Sequence, residues 1–220
     1  MMKTLEYLTG ITGAECRRLR ALGIKHTNRL LHSTSLIADR QRLSRKTGMS
    51  EERLLELANQ CALLEISEQD WRDHFAVNID GAWHACRAVV PSMIERRRGA
   101  VVNMASWMGK RGWPNYGAYC ATKFAVIGFT QSLAYEVAPH GVRVNAVCPG
   151  MIVNTKMREA MDEEAPRRGL PTSAERVAGI PLKRAGTPED VAKATVFLAS
   201  DEAACLTDST VDVAGGLWMS

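Results

Sequence analysis

The chain has no apolar run approaching the roughly 20 residues of a membrane span, no C-x-x-C pair among its six cysteines, and no Pro/Ser-rich linker, low-complexity tract or internal repeat. The first absence argues against an integral membrane protein. The second argues against a zinc site or disulfide frame, so no metal is expected and Cys16, Cys61, Cys86, Cys120, Cys148 and Cys205 read as reduced thiols of a cytoplasmic protein. The opening stretch, Met1 to Gly10, carries one lysine and no sustained apolar core, unlike a secretory signal. Residues 1–66 also lack β-branched runs, which leaves little there to build a strand from.

What is present is unevenly spread. Of 28 Lys+Arg and 24 Asp+Glu, 11 and 7 lie in residues 1–66, leaving 17 of each beyond. The whole excess of +4 therefore belongs to the first third, which marks two unlike pieces. Residues 1–66 read as short helices joined by glycine turns. Ala14 to Leu22 stops at Gly23, Thr27 caps the next helix, Asp39 to Lys46 ends before Gly48, and Ser50 caps a fourth with Glu51 and Glu52 in its first turn.

From Glu68 the pattern changes. Glu68 to Arg98 is helical, with mild breaks at Gly81 and Pro91. Ala100 to Ala105 and Val142 to Val147 are short apolar β-branched runs, Gly117 to Ala138 and Pro188 to Ser200 are helices, and Ser209 to Val213 is a last strand. Alternating strands and helices predict a parallel sheet. The fold class expected is α/β, with a small all-α domain (1–66) ahead of a sheet domain (67–220).

The chemistry-bearing stretch is VVNMASWMGKRGWPNYGAYCATKFAV. Tyr119 and Lys123, four apart near a helix start, share one face. An ammonium beside a phenol favours the phenolate, so Lys123 is expected to pull the Tyr119 pKa below its ordinary value of about 10 and make it an acid/base near neutrality. Ser106 closes the preceding strand, Asn78 lies on the helix before it, and Pro149-Gly150 follows the next strand. In that order and spacing, about residues 68–220 resemble the C-terminal, catalytic part of the short-chain dehydrogenase/reductases. The resemblance implies a truncated Rossmann-type sheet, an NAD- or NADP-dependent oxidoreductase activity, and a small alcohol or carbonyl substrate. It assigns Tyr119 as proton donor or acceptor, Lys123 as the pKa-lowering residue that also binds the nicotinamide ribose, and Ser106 as the group that holds the substrate oxygen. Asn78 would order a water in the proton relay, and Pro149, Gly150 and Thr155 would lie along the nicotinamide. It further implies a homodimer through helices 68–98 and 117–138. Thr122 and Cys120 replace usual small residues. Asp208 and Ala214 replace usual glycines, which puts their turns in question. Trp107, Met108 and Trp113 around Ser106 suggest an aromatic-lined pocket.

The glycine-rich turn that seats the cofactor pyrophosphate in that family should precede Asn78, and it is missing. Thr9-Gly10-Ile11-Thr12-Gly13, with Asp39 downstream, has the wrong glycine spacing and no strand before it. A sheet reduced to three strands would leave Ala100 to Ala105 as an unpaired edge. About residues 7–66 instead resemble the DUF4332 helix-hairpin-helix family, through LTGITGAECRRLRALGIKHTNRLL and RQRLSRKTGMSEERLLELANQCALLEI. Arg17, Arg18, Arg20 and Lys25 would supply a nucleic-acid-facing patch, although Thr12 stands in place of the second hairpin glycine. Three functions follow as expectations: an oxidoreductase; a fusion or truncation product with proton-transfer residues but no cofactor affinity of its own; and a nucleic-acid- or protein-binding helical module with a degenerate passenger.

Overall fold

In the computed structural model, residues 3–34, 37–113, 116–168 and 172–217 are described. The chain divides into two compact units, one spanning Met1–Asp70 and Glu164–Leu170, the other Trp71–Glu163 and Pro171–Ser220.

The first unit contains a 3-10 turn at Leu5–Tyr7 and helices α1 (Gly13–Ala21), α2 (Thr27–His32), α3 (Ile37–Thr47) and α4 (Glu51–Glu65). Its core is Leu5, Leu19, Leu30, Leu54, Leu57 and Cys61, all fully buried. α1 and α3 each end in a left-handed glycine, Gly23 at φ +79 and Gly48 at φ +69, followed by buried Ile24 and Met49. Only glycine enters that region without a side-chain penalty. His26, not Thr27, is the N-cap of α2, and the Thr27 hydroxyl instead donates to the Lys3 carbonyl. A helical run, Leu5–Tyr7, precedes Thr9, which confirms on structural grounds that the Thr9–Gly13 stretch does not follow a strand. Thr12 caps α1 through a reciprocal box with Glu15. Arg53 locks that end by donating to Glu15 at 2.8 Å and to the Gly10 carbonyl at 2.6 Å. The Arg53 hydrogen bond is the main cause that holds the Glu15 carboxyl down at about 2.

The second unit is α/β. A continuous helical rod runs from α5 (Glu68–Phe75) through a π-turn at Ala76–Asp80 into α6 (Gly81–Glu95), so Gly81 does not interrupt it and Pro91 is accommodated inside. Strands β1 (Gly99–Met104), β2 (Val142–Pro149) and β3 (Thr210–Val213) form a parallel sheet in the order β1-β2-β3, with Gly99 opposite Val142 and Ala146 opposite Thr210. α7 (Gly117–Val137) and α10 (Pro188–Ala199) make the crossovers. Two further helices, α8 (Lys156–Arg168) and α9 (Ser173–Val177), stand between β2 and α10 where the sequence reading placed no element. α9 is short, and a capping box between Thr172 and Glu175 opens it. The polar α8 carries no clear apolar stripe to announce it.

β2 is the central strand. Val142, Val144, Ala146, Val147 and Cys148 are buried, as a strand covered on both faces requires. Two clusters fill the space between sheet and helices. Cys86, Val90, Ala134, Val137 and Val144 pack toward the strand starts, and Ala105, Val126, Ala146 and Cys148 pack toward their ends. Fully buried Asn145 ties β2 to the chain before β3, donating to the Leu206 carbonyl at 2.8 Å and accepting from Ser209 N–H at 3.0 Å. Arg143 donates to the Leu198 and Ser200 carbonyls and closes the C-terminus of α10. Among the described residues β1 pairs only with β2, so it is the sheet edge that the truncated reading requires.

Candidate active site

The C-terminal ends of parallel strands lie on one side of the sheet, where ligands of open α/β folds bind. Ser106, Pro149 and Gly150 all follow or close strands on that side. Ser106 is buried, has an extended backbone (φ −168), and caps a 3-10 turn at Trp107–Gly109 by accepting from Met108 N–H at 3.2 Å. Gly109 seats this turn on α7. A Cβ there would stand 2.6 Å from the Lys123 carbonyl oxygen, so no larger residue fits without moving backbone.

α7 begins at Gly117, and its first turns carry Tyr119 and Lys123 on one face. Lys123 is 8% exposed, donates to the Met104 carbonyl at 2.9 Å, and holds its ammonium 5.6 Å from the Tyr119 ring centroid. The Ser106 hydroxyl faces the Tyr119 phenol and eases its ionisation. The structure thus brings Ser106, Tyr119 and Lys123 together. It corrects the expected electrostatics. Burial pushes the Tyr119 phenol up from its ordinary value, Ser106 only partly offsetting it, and burial likewise pushes Lys123 down. Desolvation disfavours both charged forms, and it is the leading cause for each.

Asn78 lies in the π-turn, and its amide donates to the Thr122 hydroxyl at 3.0 Å. It reaches the catalytic helix through Thr122. Gly150 ends β2 with its Cα so close to β3 that a Cβ would come 2.7 Å from the Cβ of Ala214. Thr155 caps α8, accepting from Arg158 N–H at 3.2 Å. Trp107 is buried and meets half-exposed Trp113 edge to face at 5.2 Å.

Four contributors escaped the sequence reading. His74 stands edge-on to the Tyr119 ring at 6.3 Å. Its spacing of four from Asn78 on one helix was the available signal. Gly109 and Lys110 shape the Ser106 turn, and Thr122 bonds Asn78. The questioned turn at Asp208 is real: this residue sits at φ +65, in the region where glycine is usual. A cavity of about 550 Å³ opens at the opposite, N-terminal end of β1 and β2, lined by Arg98, Arg143, Asp201 and Cys205. It holds none of the Ser–Tyr–Lys cluster, and its Arg98 pairs with Asp201.

A parallel α/β sheet thus carries serine, tyrosine and lysine together at its C-terminal edge. The family model described as Enoyl-(Acyl carrier protein) reductase matches residues 48–218, and that of DUF4332, a domain of unknown function, matches residues 9–73. The chain belongs to the short-chain dehydrogenase/reductase family. It is 42% identical to the inactive 2-(S)-hydroxypropyl-CoM dehydrogenase 2 of Xanthobacter autotrophicus, over 68% of this chain and 64% of that one. It is 38% identical to the 3-oxoacyl-[acyl-carrier-protein] reductase FabG of Haemophilus influenzae, over 72% and 62%. The crystal structure of a 3-oxoacyl-[acyl-carrier protein] reductase from Brucella melitensis superposes with a TM-score of 0.64 at 42% identity, over 71% of this chain and 56% of that chain. Another reductase from the same organism, with bound NAD, gives 0.60 at 39% identity, over 71% and 55%. The chain therefore spans less than two thirds of each of these relatives. Among the described residues no helix is long and apolar enough to cross a membrane, and no group of three or more His, Cys, Asp or Glu is placed to hold a metal ion.

Proposed function

We propose that this chain carries the proton-transfer half of an NAD(P)-dependent oxidoreductase acting on a small alcohol or carbonyl compound. The observation that carries this reading is the Tyr119 phenol set beside the Ser106 hydroxyl, with the Lys123 ammonium 5.6 Å from its ring, at the C-terminal edge of a parallel sheet. Ser106 would hold the substrate oxygen and Tyr119 would give or take its proton. The burial-raised phenol favours the proton-donating direction, carbonyl to alcohol, at neutral pH. The named activities of the FabG reductases and of 2-(S)-hydroxypropyl-CoM dehydrogenase 3 support a carbonyl or alcohol substrate.

The residues present fit only one end of the cofactor. Tyr119, Lys123, Pro149, Gly150 and Thr155 would hold the nicotinamide and its ribose. For the pyrophosphate, the second unit offers no glycine turn between strand and helix among its described residues. The chain leaves β1 through the Ser106 turn and leaves β2 through Gly150 to Thr155. Nicotinamide, when bound, supplies or accepts the hydride. The second reading, a chain silent on its own, rests on this mismatch.

Exposed Trp83 on α6, with Phe124 and Tyr135 on α7, supports a homodimer through these helices. For nucleic-acid contact, exposed Arg17, Arg18 and Lys25 are the support. The amides of Thr9, Ile11 and Thr12 are bonded to Gln60, Leu8 and Glu15, which leaves the first hairpin without a phosphate cradle.

The test is titration of the full chain with NAD(H) and NADP(H), followed by turnover with small ketones and alcohols. No saturable binding tighter than about 1 mM is expected. Tighter binding overturns the silent half of the reading. Turnover that survives Tyr119→Phe overturns the assigned proton donor.

A further inference from the structure

We infer that Thr122 is a positioning residue that fixes Asn78 and the first turn of α7 to one another through a single hydroxyl. The inference rests on the acid/base reading of Tyr119 and names what holds that residue in place. The Thr122 side chain is fully buried. Its hydroxyl donates its one proton to the Tyr119 main-chain oxygen at 2.8 Å and accepts from the Asn78 side-chain amide at 3.0 Å.

One proton and two lone pairs make this arrangement directional. The Tyr119 carbonyl only accepts, so it takes the hydroxyl proton. What remains on the oxygen is lone-pair density, which Asn78 answers by presenting its NH2. Thr122 thereby fixes which way the Asn78 amide faces, leaving Oδ1 as the end free to accept a proton from another partner. The π-turn supplies the second half of the device. Asn78 and Ile79 are neighbours in it, and Ile79 packs into the cluster of Ala105, Val126, Ala146 and Cys148 beneath the site. The extra residue of a π-turn is a frequent device at functional sites. Here it sends the Asn78 side chain to α7 while Ile79 stays in the core. The back-bond to the residue three before it also restrains the Thr122 side chain to a narrow set of rotamers. From the sequence, Thr122 read as a harmless replacement of a small residue. In the structure it is the connection between two functional side chains 41 positions apart.

The experiment uses the full chain and needs neither cofactor nor turnover. Asparagine side-chain amides are labelled with 15N and tyrosine ring Cζ with 13C, and the Asn78 and Tyr119 signals are assigned with Asn78→Asp and Tyr119→Phe. Wild type is expected to show an Asn78 amide protected from exchange and a Tyr119 phenol that titrates above its ordinary value. Thr122→Val keeps the shape and removes the hydroxyl. It is expected to speed Asn78 amide exchange roughly tenfold and to move the Tyr119 titration toward its ordinary value, as the loosened turn admits water. Thr122→Ser is expected to restore both. A wild-type Asn78 amide exchanging at the unprotected rate overturns the inference even if the valine variant fails to fold. So does a folded valine variant with an unmoved Tyr119 titration, or a serine variant that restores neither signal. Absence of any NAD(P)(H) turnover bears on the oxidoreductase reading alone, since these signals do not depend on it.

Discussion

Lys110 and Asp212 are joined across the sheet end: the lysine ammonium lies 2.8 Å from one carboxylate oxygen and also donates to the Thr210 carbonyl at 3.1 Å. The pair ties the turn that carries Ser106 to β3, and it is largely shielded, with 16% and 22% of the side chains exposed. The other Asp212 oxygen is buried with no partner. Removing the lysine therefore strands a carboxylate already half satisfied. Lys110→Met should lower stability by about 1–3 kcal/mol, read from the urea midpoint, and Lys110→Met combined with Asp212→Val should recover part of the loss. A single variant as stable as wild type would show the pair to be slack.

Gly109 sets a steric limit on the same turn. An added Cβ meets main-chain atoms of Lys123 at 2.6 and 2.8 Å, and backbone cannot swing aside as a side-chain tip can. Gly109→Ala should cost about 1–3 kcal/mol and should lift the Ser106 turn from α7. Thermal unfolding checks the first effect. A Tyr119 titration moved toward its ordinary value checks the second, since burial is what delays it.

Much of this region was legible in the sequence and some was not, for identifiable reasons. Tyr119, Lys123 and Ser106 announce themselves because their spacing along one helix and one strand end is local. The three strands do so because each is a short run with β-branched residues between turn or helix signals. Lys110 and Asp212 lie 102 positions apart, and nothing local tells a salt bridge from two solvated charges. The direction of the Tyr119 shift was missed because burial is a tertiary quantity. Lys123 was visible, and the burial that raises the phenol was not. α8 escaped because its polar composition resembles a loop.

In the first unit, Glu15 carries an acid-sensitive contact. Its carboxyl is held at about 2 against an ordinary 4.5, chiefly by the Arg53 hydrogen bond. A depressed carboxylate contributes stability that is present above the unfolded value and lost as pH falls through the folded one. Stability should therefore decline between about pH 4.5 and 2, and Glu15→Gln should flatten that limb while lowering stability at pH 7. Equal acid limbs for wild type and variant in chemical denaturation would contradict the assignment.

Asp208 turns into β3 at φ +65 and leaves one carboxylate oxygen buried without a partner. Glycine relieves both costs at the price of a freer unfolded chain. Asp208→Gly should raise stability by about 0.5–1 kcal/mol, and Asp208→Val should lower it, since a β-branched residue tolerates that conformation least. Melting temperatures of the two variants on either side of wild type would confirm the ordering.

The sheet order β1-β2-β3 has a consequence for how the protein is made. Each strand pairs with the next one synthesised, so the sheet can grow as the chain leaves the ribosome, with β2 laid on β1 and β3 on β2. Growth proceeds in one direction only. Among the described residues β1, with its uncharged GAVVNM sequence, is paired on one side only, and such an edge invites pairing with other chains while nascent chains are crowded together. Translation rate and polysome density, more than the stability of the finished fold, would then set the soluble yield of this protein.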